Sequence, residues 1–227
     1  MGKHGKNYIA AAKQVDRSEE VSISQAIGTI KDLSKTKFVS SLEGHFKIGY
    51  KSMQNVRGVL QLPHGTGKKV RILVFAKGEK AEEAKAAGAD FVGDADLIEK
   101  VAGGWTDFEF VVATPDLMKD VGKLGPVLGR KGLMPKPKAG TVTNELKPII
   151  EQLRSGRLEF KADKTGVIHL PLGKLDFSPE QLVENVTVAF QTILKSKPSD
   201  AKGDYIITFF LAGTMTPGVR ISTRELR

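Results

Sequence analysis

The sequence has no cysteine. That absence excludes disulfides, thiolate-bound metals and cysteine nucleophiles together, and it suits a reducing compartment. No apolar run approaches the length of a membrane span. The opening MGKHGKNYIAAAKQVD is basic but lacks the apolar stretch of a signal peptide, so a soluble, cytoplasmic protein is expected. Acid is in short supply. Against 35 lysines and arginines stand 26 acids, giving a net charge of +9 and a pI near 9.6. This excess favours a nucleic-acid or other anionic partner without proving one.

Catalytic constellations are also missing. The four histidines, His4, His45, His64 and His169, have no metal-ligand spacing, and no nucleophile, base and oxyanion site come together. HGTGKKV carries Gly67-Lys68, but a P-loop needs a hydroxyl where Lys69 stands and a glycine where Leu62 stands. GKLGPVLGRKG follows a helical stretch, whereas a dinucleotide fingerprint follows a strand and opens a helix. No enzyme, cofactor, metal or small-molecule substrate is expected.

What is present is a chain of 227 residues, long enough for one large domain or two small ones. In ISQAIGTIKDL, Ile23, Ala26, Ile27, Ile30 and Leu33 share one helical face. KFVSSLEGHFKIG alternates, with Phe38, Leu42, Phe46 and Ile48 on one side and Ser41, Glu43, His45 and Lys47 on the wet side. VRGVLQL is a second strand. The middle then changes to continuous apolar strands: VRILVFA, a helix ended by Gly88, short FVG, helix DADLIEKVAGG and strand DFEFVVAT. That order predicts a small parallel sheet. Thr114-Pro115 is expected to cap the next helix, and 143–156 to form another.

Alternation returns afterwards. RLEFKAD and GVIHLPLG, around Lys164-Thr165-Gly166, predict a hairpin. Residues 178–197 predict a helix with Ser178 at its N-cap, Pro179 at N1 and Leu182, Val183, Val186, Phe190, Ile193 and Leu194 on its apolar stripe. YIITFFLAG and VRIST close as strands. The resulting expectation is a two-domain α+β and α/β chain. A Rossmann-like α/β domain (65–154) is inserted into a discontinuous α+β domain with an antiparallel sheet (1–64 with 155–227). The crossings are expected near Pro63–Gly65 and Arg154–Gly156.

One tract stands apart. Residues 122–142, GKLGPVLGRKGLMPKPKAGTV, hold five glycines, three prolines and five basic residues, with no acid. Such a loop suits a polyanion, whether nucleotide or nucleic acid, and by itself does not choose between them.

This tract resembles the signature loop of the ribosomal protein L-one family, found at the lateral stalk of the large subunit. MGKHGKNY, QNVRGVLQLPHGTGK, AKGEKAEEAKAAGADFVG, GWTDFEFVVATPD, EFKADKTGVIHLPLGK and TMTPGVRI match the family in order along essentially the whole chain. The resemblance implies an inserted second domain, binding to the stalk segment of large-subunit rRNA and gating of deacylated tRNA leaving the exit site. It also implies repression of translation through the protein's own mRNA. A free RNA-binding translational regulator of the same fold is the alternative.

Carried over by position, the RNA-binding residues are Lys37, Phe38, Ser41, Glu43, Lys161, Asp163, Lys164, Thr165, Thr214 and Met215. The resemblance also implies secondary RNA contacts from Lys123, Arg130, Lys131, Lys136 and Lys138 of the glycine-rich loop. The sequence departs from the family in a segment about three residues shorter after Gly49 and in Thr216, where a glycine is usual. A turn pressed against RNA generally favours glycine's freedom.

Overall fold

A computed structural model describes residues 5–49, 56–137, 140–198, 201 and 203–224. In chain order the first elements are α1 (Lys6–Ala12), α2 (Ile23–Leu33), β1 (Ser41–Ile48) and β2 (Arg57–Gln61). There follow β3 (Ile72–Phe75), α3 (Glu79–Ala86), β4 (Phe91–Gly93), α4 (Ala95–Ala102), β5 (Phe110–Ala113), α5 (Met118–Gly122), α6 (Gly125–Leu128) and α7 (Leu146–Arg154). The last are β6 (Arg157–Lys161), β7 (Val167–Lys174), α8 (Pro179–Lys195), β8 (Ile206–Gly213) and β9 (Val219–Ile221). The chain divides into two compact units, Met1–Gly67 with Leu158–Arg227, and Lys68–Arg157.

The first unit is built on an antiparallel sheet in the order β7-β1-β8-β9. The helical face predicted for α2 is the one buried: Ile23, Ala26, Ile27, Ile30 and Leu33 all face the core. Ile27 and Ile30 are fully enclosed, each contributing roughly 1.5–3 kcal/mol by leaving water. Ser22 and Gln25 cap the helix reciprocally, satisfying two otherwise orphaned amides. In α8 the same device joins Ser178 and Gln181, with Pro179 in the first turn. Leu182, Val186, Ala189, Phe190 and Ile193 are buried there, while Val183 and Leu194 pack at the core's edge. Beneath the helices Phe46 and Phe209 stack from adjacent strands, ring centroids 4.2 Å apart. Gly44 in β1 leaves room for this packing, because a Cβ there would stand 2.7 Å from the Cδ1 of Leu172 and force that side chain to shift.

Two expectations for this unit change. The segments 157–163 and 166–173 do not form a hairpin. β6 pairs with β2 in a two-stranded sheet, and β7 joins the four-stranded sheet beside β1. The turn between them is closed by Asp163 N–H donating to Val167 O at 2.9 Å, and beyond it the strands part. Phe38 is not the first inward residue of β1. The hydroxyl of Thr36 donates to Phe38 O at 2.9 Å and lies 2.6 Å from the Ser40 hydroxyl, which is itself 3.0 Å from that of Ser34. This knot of hydroxyls bends the chain, so regular pairing starts at Ser41 and Phe38 remains 59% exposed.

In the second unit β4-β3-β5 form the parallel sheet that the continuous apolar strands predicted. All four residues of β3 are buried. Leu73 and Phe75 enter a core with Val101, Leu117 and Val121, whereas Ile72 and Val74 enter another with Ala84, Leu146 and Ile150. A strand covered on both faces has no wet side, which is why it shows no alternation. Gly88, at φ 89, ends α3. Thr114 precedes the helical turn Pro115–Leu117, but its side chain makes no capping bond. The glycine-rich tract is partly structured, with α6 inside it and Leu124 and Leu128 anchored in the core.

Candidate nucleic-acid interface

The four-stranded sheet has one face packed by α2 and α8 and one face open. On the open face the strand register aligns Lys174–Ser41, Pro171–Glu43–Ala212, His169–His45–Phe210–Arg220 and Val167–Lys47–Thr208. These side chains are partly or fully exposed. The sequence-derived residues lie along this face and at its two ends rather than in one cluster.

At the first end, Thr214 N–H donates to Ser41 O at 3.1 Å, and Ser41 N–H donates to the Thr214 hydroxyl oxygen at 3.0 Å. Lys174 Nζ donates to the Ser41 hydroxyl at 2.8 Å. Met215, 77% exposed, adopts φ 67, a left-handed conformation that costs a non-glycine residue energy. Thr216 holds that turn in place. Its hydroxyl oxygen accepts from Gly213 N–H at 2.8 Å and the hydroxyl donates to Gly213 O at 3.1 Å. The departure from glycine at Thr216 is thereby explained, since the unusual backbone sits at Met215 and Thr216 works through its hydroxyl. Lys37 and Phe38 flank this end on the segment before β1. Among the described residues the Lys37 ammonium has no hydrogen-bond or ion-pair partner.

At the far end is the turn Asp163–Gly166, roughly 20 Å along β1 at about 3.3 Å per residue. Asp163 Oδ1 accepts from the N–H groups of Thr165 and Val167, each at 2.8 Å, and from the Thr165 hydroxyl at 2.7 Å. These bonds, that from Val167 first, hold the Asp163 carboxyl down at a pKa of about 2. Lys47 Nζ donates to Thr165 O, and Ile48 N–H to Gly166 O, so the turn is tied to the end of β1. Lys164 projects from its tip, exposed and unpaired among the described residues. Lys161, at the end of β6, is exposed as well.

The two acids expected at the interface therefore differ. Asp163 is committed to shaping the Lys164 turn. Glu43 is exposed in mid-face and makes no hydrogen bond or ion pair among the described residues, so its carboxylate is available as an acceptor. Between Glu43 and the far turn, His45 and His169 meet across the strands with Nδ1 atoms 2.8 Å apart, and His169 Nε2 lies 3.8 Å from Asp163 Oδ2. Burial, then the neighbouring His169, lowers the His45 pKa, with Glu43 opposing. The sequence reading did not select His45, His169, Lys47 or Lys174. Alternation placed His45 and Lys47 on the wet side, but only strand pairing sets His169 and Lys174 beside them.

The secondary group lies in the second unit. Lys123 pairs with Asp120 at 2.8 Å and Lys131 Nζ donates to the Thr106 hydroxyl. Arg130 is exposed, Lys136 N–H donates to Thr141 Oγ1 at 2.8 Å, and Lys138 lies outside the described residues. His4 and the segment after Gly49 (50–55) also lie outside them.

The pattern of the Ribosomal protein L1p/L10e family matches residues 30–217. The chain belongs to the ribosomal protein L1p/L10e family. Two proteins called large ribosomal subunit protein uL1, from Leptospira biflexa serovar Patoc (strain Patoc 1 / Ames and strain Patoc 1 / ATCC 23582 / Paris), are similar throughout. Each is 56% identical over 224 residues, covering 99% of this chain and 97% of its own length. A member of the L1p/L10e family is a ribosomal protein, not an enzyme. Among the described residues no helix is long and apolar enough to cross a membrane, and no group of side chains is suited to a metal ion.

Proposed function

We propose that the protein is a constituent of the large ribosomal subunit, located in the cytoplasm on the ribosome, that binds the stalk segment of large-subunit rRNA. The observation that carries this reading is the open sheet face. Among the described residues, lysines without a partner stand at both ends, Lys37 at one and Lys164 with Lys161 at the other, with the Glu43 carboxylate, likewise without a hydrogen bond or ion pair, between them. A plain phosphate binder would not expose an acid at the centre, where it opposes the polyanion. A protein reading 2′-hydroxyls and amino groups across the wide, shallow minor groove of an RNA helix gains from one.

The RNA-binding part in this reading is the discontinuous domain expected at 1–64 with 155–227. The inserted domain, 65–154, adds secondary contacts through Lys123, Arg130, Lys131, Lys136 and Lys138. On the ribosome the protein aids release of deacylated tRNA from the exit site, and off it the same face represses its own mRNA.

Affinity for a stalk rRNA fragment and for a scrambled RNA of equal length, across a salt series, tests the binding. A preference for the stalk fragment that persists at high salt is expected, and equal affinity overturns the reading. Sedimentation with purified large subunits separates a resident ribosomal protein from a free regulator. Reporter translation behind its own leader, and release of exit-site tRNA from ribosomes lacking the protein, test the remaining roles.

A further inference from the structure

A cavity of about 530 Å³ opens at the first end of the sheet, between α1, the segment joining α2 to β1, and the Thr214–Thr216 turn. Its size lies within the range of about 300–1,000 Å³ usual for small-molecule sites. Tyr8, Phe38 and Met215 contribute to its walls, and Ala11 and Leu33 are its most buried lining groups. Phe38 and Met215 are the two most exposed large apolar side chains among the described residues, at 59% and 77%. Neither is needed for the core, and Met215 is held outward by a left-handed backbone at φ 67. Exposed apolar groups gathered at one opening mark a surface that another molecule covers.

The polar lining identifies what covers it. Lys6 and Lys35 line the cavity, and among the described residues no carboxylate does. Among the described residues neither lysine has a partner, and the Asn7 side-chain amide makes no hydrogen bond. The chemistry is that of a π-surface flanked by negative charge and carrying hydrogen-bonding edges. We propose that this cavity receives one unstacked nucleobase of the bound RNA, its ring against Phe38 and Met215, its flanking phosphates on Lys6 and Lys35, and its edge read by Asn7. Aromatic and thioether side chains hold unpaired bases in this way. The inference rests on the RNA-binding reading above and deepens it. The sheet face reads a helical minor groove, and the cavity requires an unpaired nucleotide at one end of that helix.

The test is chemical probing of base edges in a stalk rRNA fragment, free and bound to the full chain, together with affinity. With the natural protein, one unpaired base should become protected from dimethyl sulfate or carbodiimide. Ala11→Phe, which fills the cavity from its wall, and Phe38→Ala, at an exposed position that leaves the fold intact, should both lose that protection. Each should weaken binding about tenfold. Lys164→Ala should weaken binding while leaving the base protected. Tight binding with every unpaired base still reactive would overturn the proposal and leave the cavity to a protein contact, with RNA binding by the sheet face unaffected. Protection that survives Phe38→Ala and a folded Ala11→Phe would overturn it equally. Failure of the natural protein to bind the fragment would instead sink the RNA-binding reading, and the cavity proposal with it.

Discussion

Ser41 and Thr214, 173 positions apart in the chain, hold each other through short hydrogen bonds in both directions, Thr214 N–H to Ser41 O and Ser41 N–H to Thr214 Oγ1. The Thr214 hydroxyl also donates to Ser41 O, at a long 3.5 Å, a bond weak enough for a ligand acceptor to displace. Thr214→Val removes both the acceptor that holds Ser41 and the hydroxyl donor. Affinity for the stalk fragment should fall by on the order of 1–3 kcal/mol, with scrambled RNA bound as before, while Thr214→Ser retains most of the affinity. Equal loss on both RNAs would show the residue to be an ordinary turn position.

Lys164 behaves differently because a phosphate contact carries no sequence information. Lys164→Ala should weaken every RNA alike and lower the salt dependence of binding by roughly one counterion. Titrations at several salt concentrations read both effects. A selective loss on the stalk fragment would place Lys164 against a base edge.

Asp163 supplies a test of sign. An acid near RNA that only repels phosphate would, on removal, tighten binding. Here the carboxylate shapes the turn by accepting from Thr165 and Val167, so Asp163→Ala should weaken binding despite the gain in positive charge. Its folded pKa of about 2 lies below the ordinary 3.8. The turn's contribution to stability is therefore complete above about pH 4 and lost as pH falls through about 2. Amide exchange at Thr165 and Val167 against pH would follow it.

His45 sets a second pH dependence. Because the His45 pKa is lowered in the folded protein, the unfolded chain binds the proton more readily. Stability is then complete above the ordinary pKa of 6.5 and declines as pH falls through the depressed folded value. Melting temperatures from pH 7.5 to 5 should fall, and His45→Gln should flatten that slope. An unchanged slope would show that His45 does not set the pH dependence in this range.

Asn185 is the fully buried polar side chain of α8. Its amide donates to Gly65 O at 3.1 Å and Leu172 O at 2.8 Å, and its carbonyl accepts from His64 N–H at 3.2 Å. Asn185→Leu strands those backbone groups, at about 1–3 kcal/mol for each that water does not reach. Denaturant unfolding should therefore show a loss of at least about 2 kcal/mol. A near-neutral result would mean that water replaces the side chain.

Much of this protein was legible before any coordinates. Periodicity is a local property, so the buried face of α2, the capped start of α8 and the doubly covered β3 could be read from neighbouring residues. Collinear motifs carried the family. Local pattern does not say which strand pairs with which, and the supposed hairpin at Lys164 is the consequence, since β6 and β7 join different sheets. Nor did alternation reveal that Ser34, Thr36 and Ser40 would bend the chain and turn Phe38 outward. The Glu43 carboxylate, without a hydrogen bond among the described residues, and the committed one of Asp163 look alike as letters. Only the tertiary structure distinguishes them, because a hydrogen-bond partner is defined by position in space, and strand pairing brings residues together across separations that no sequence window contains.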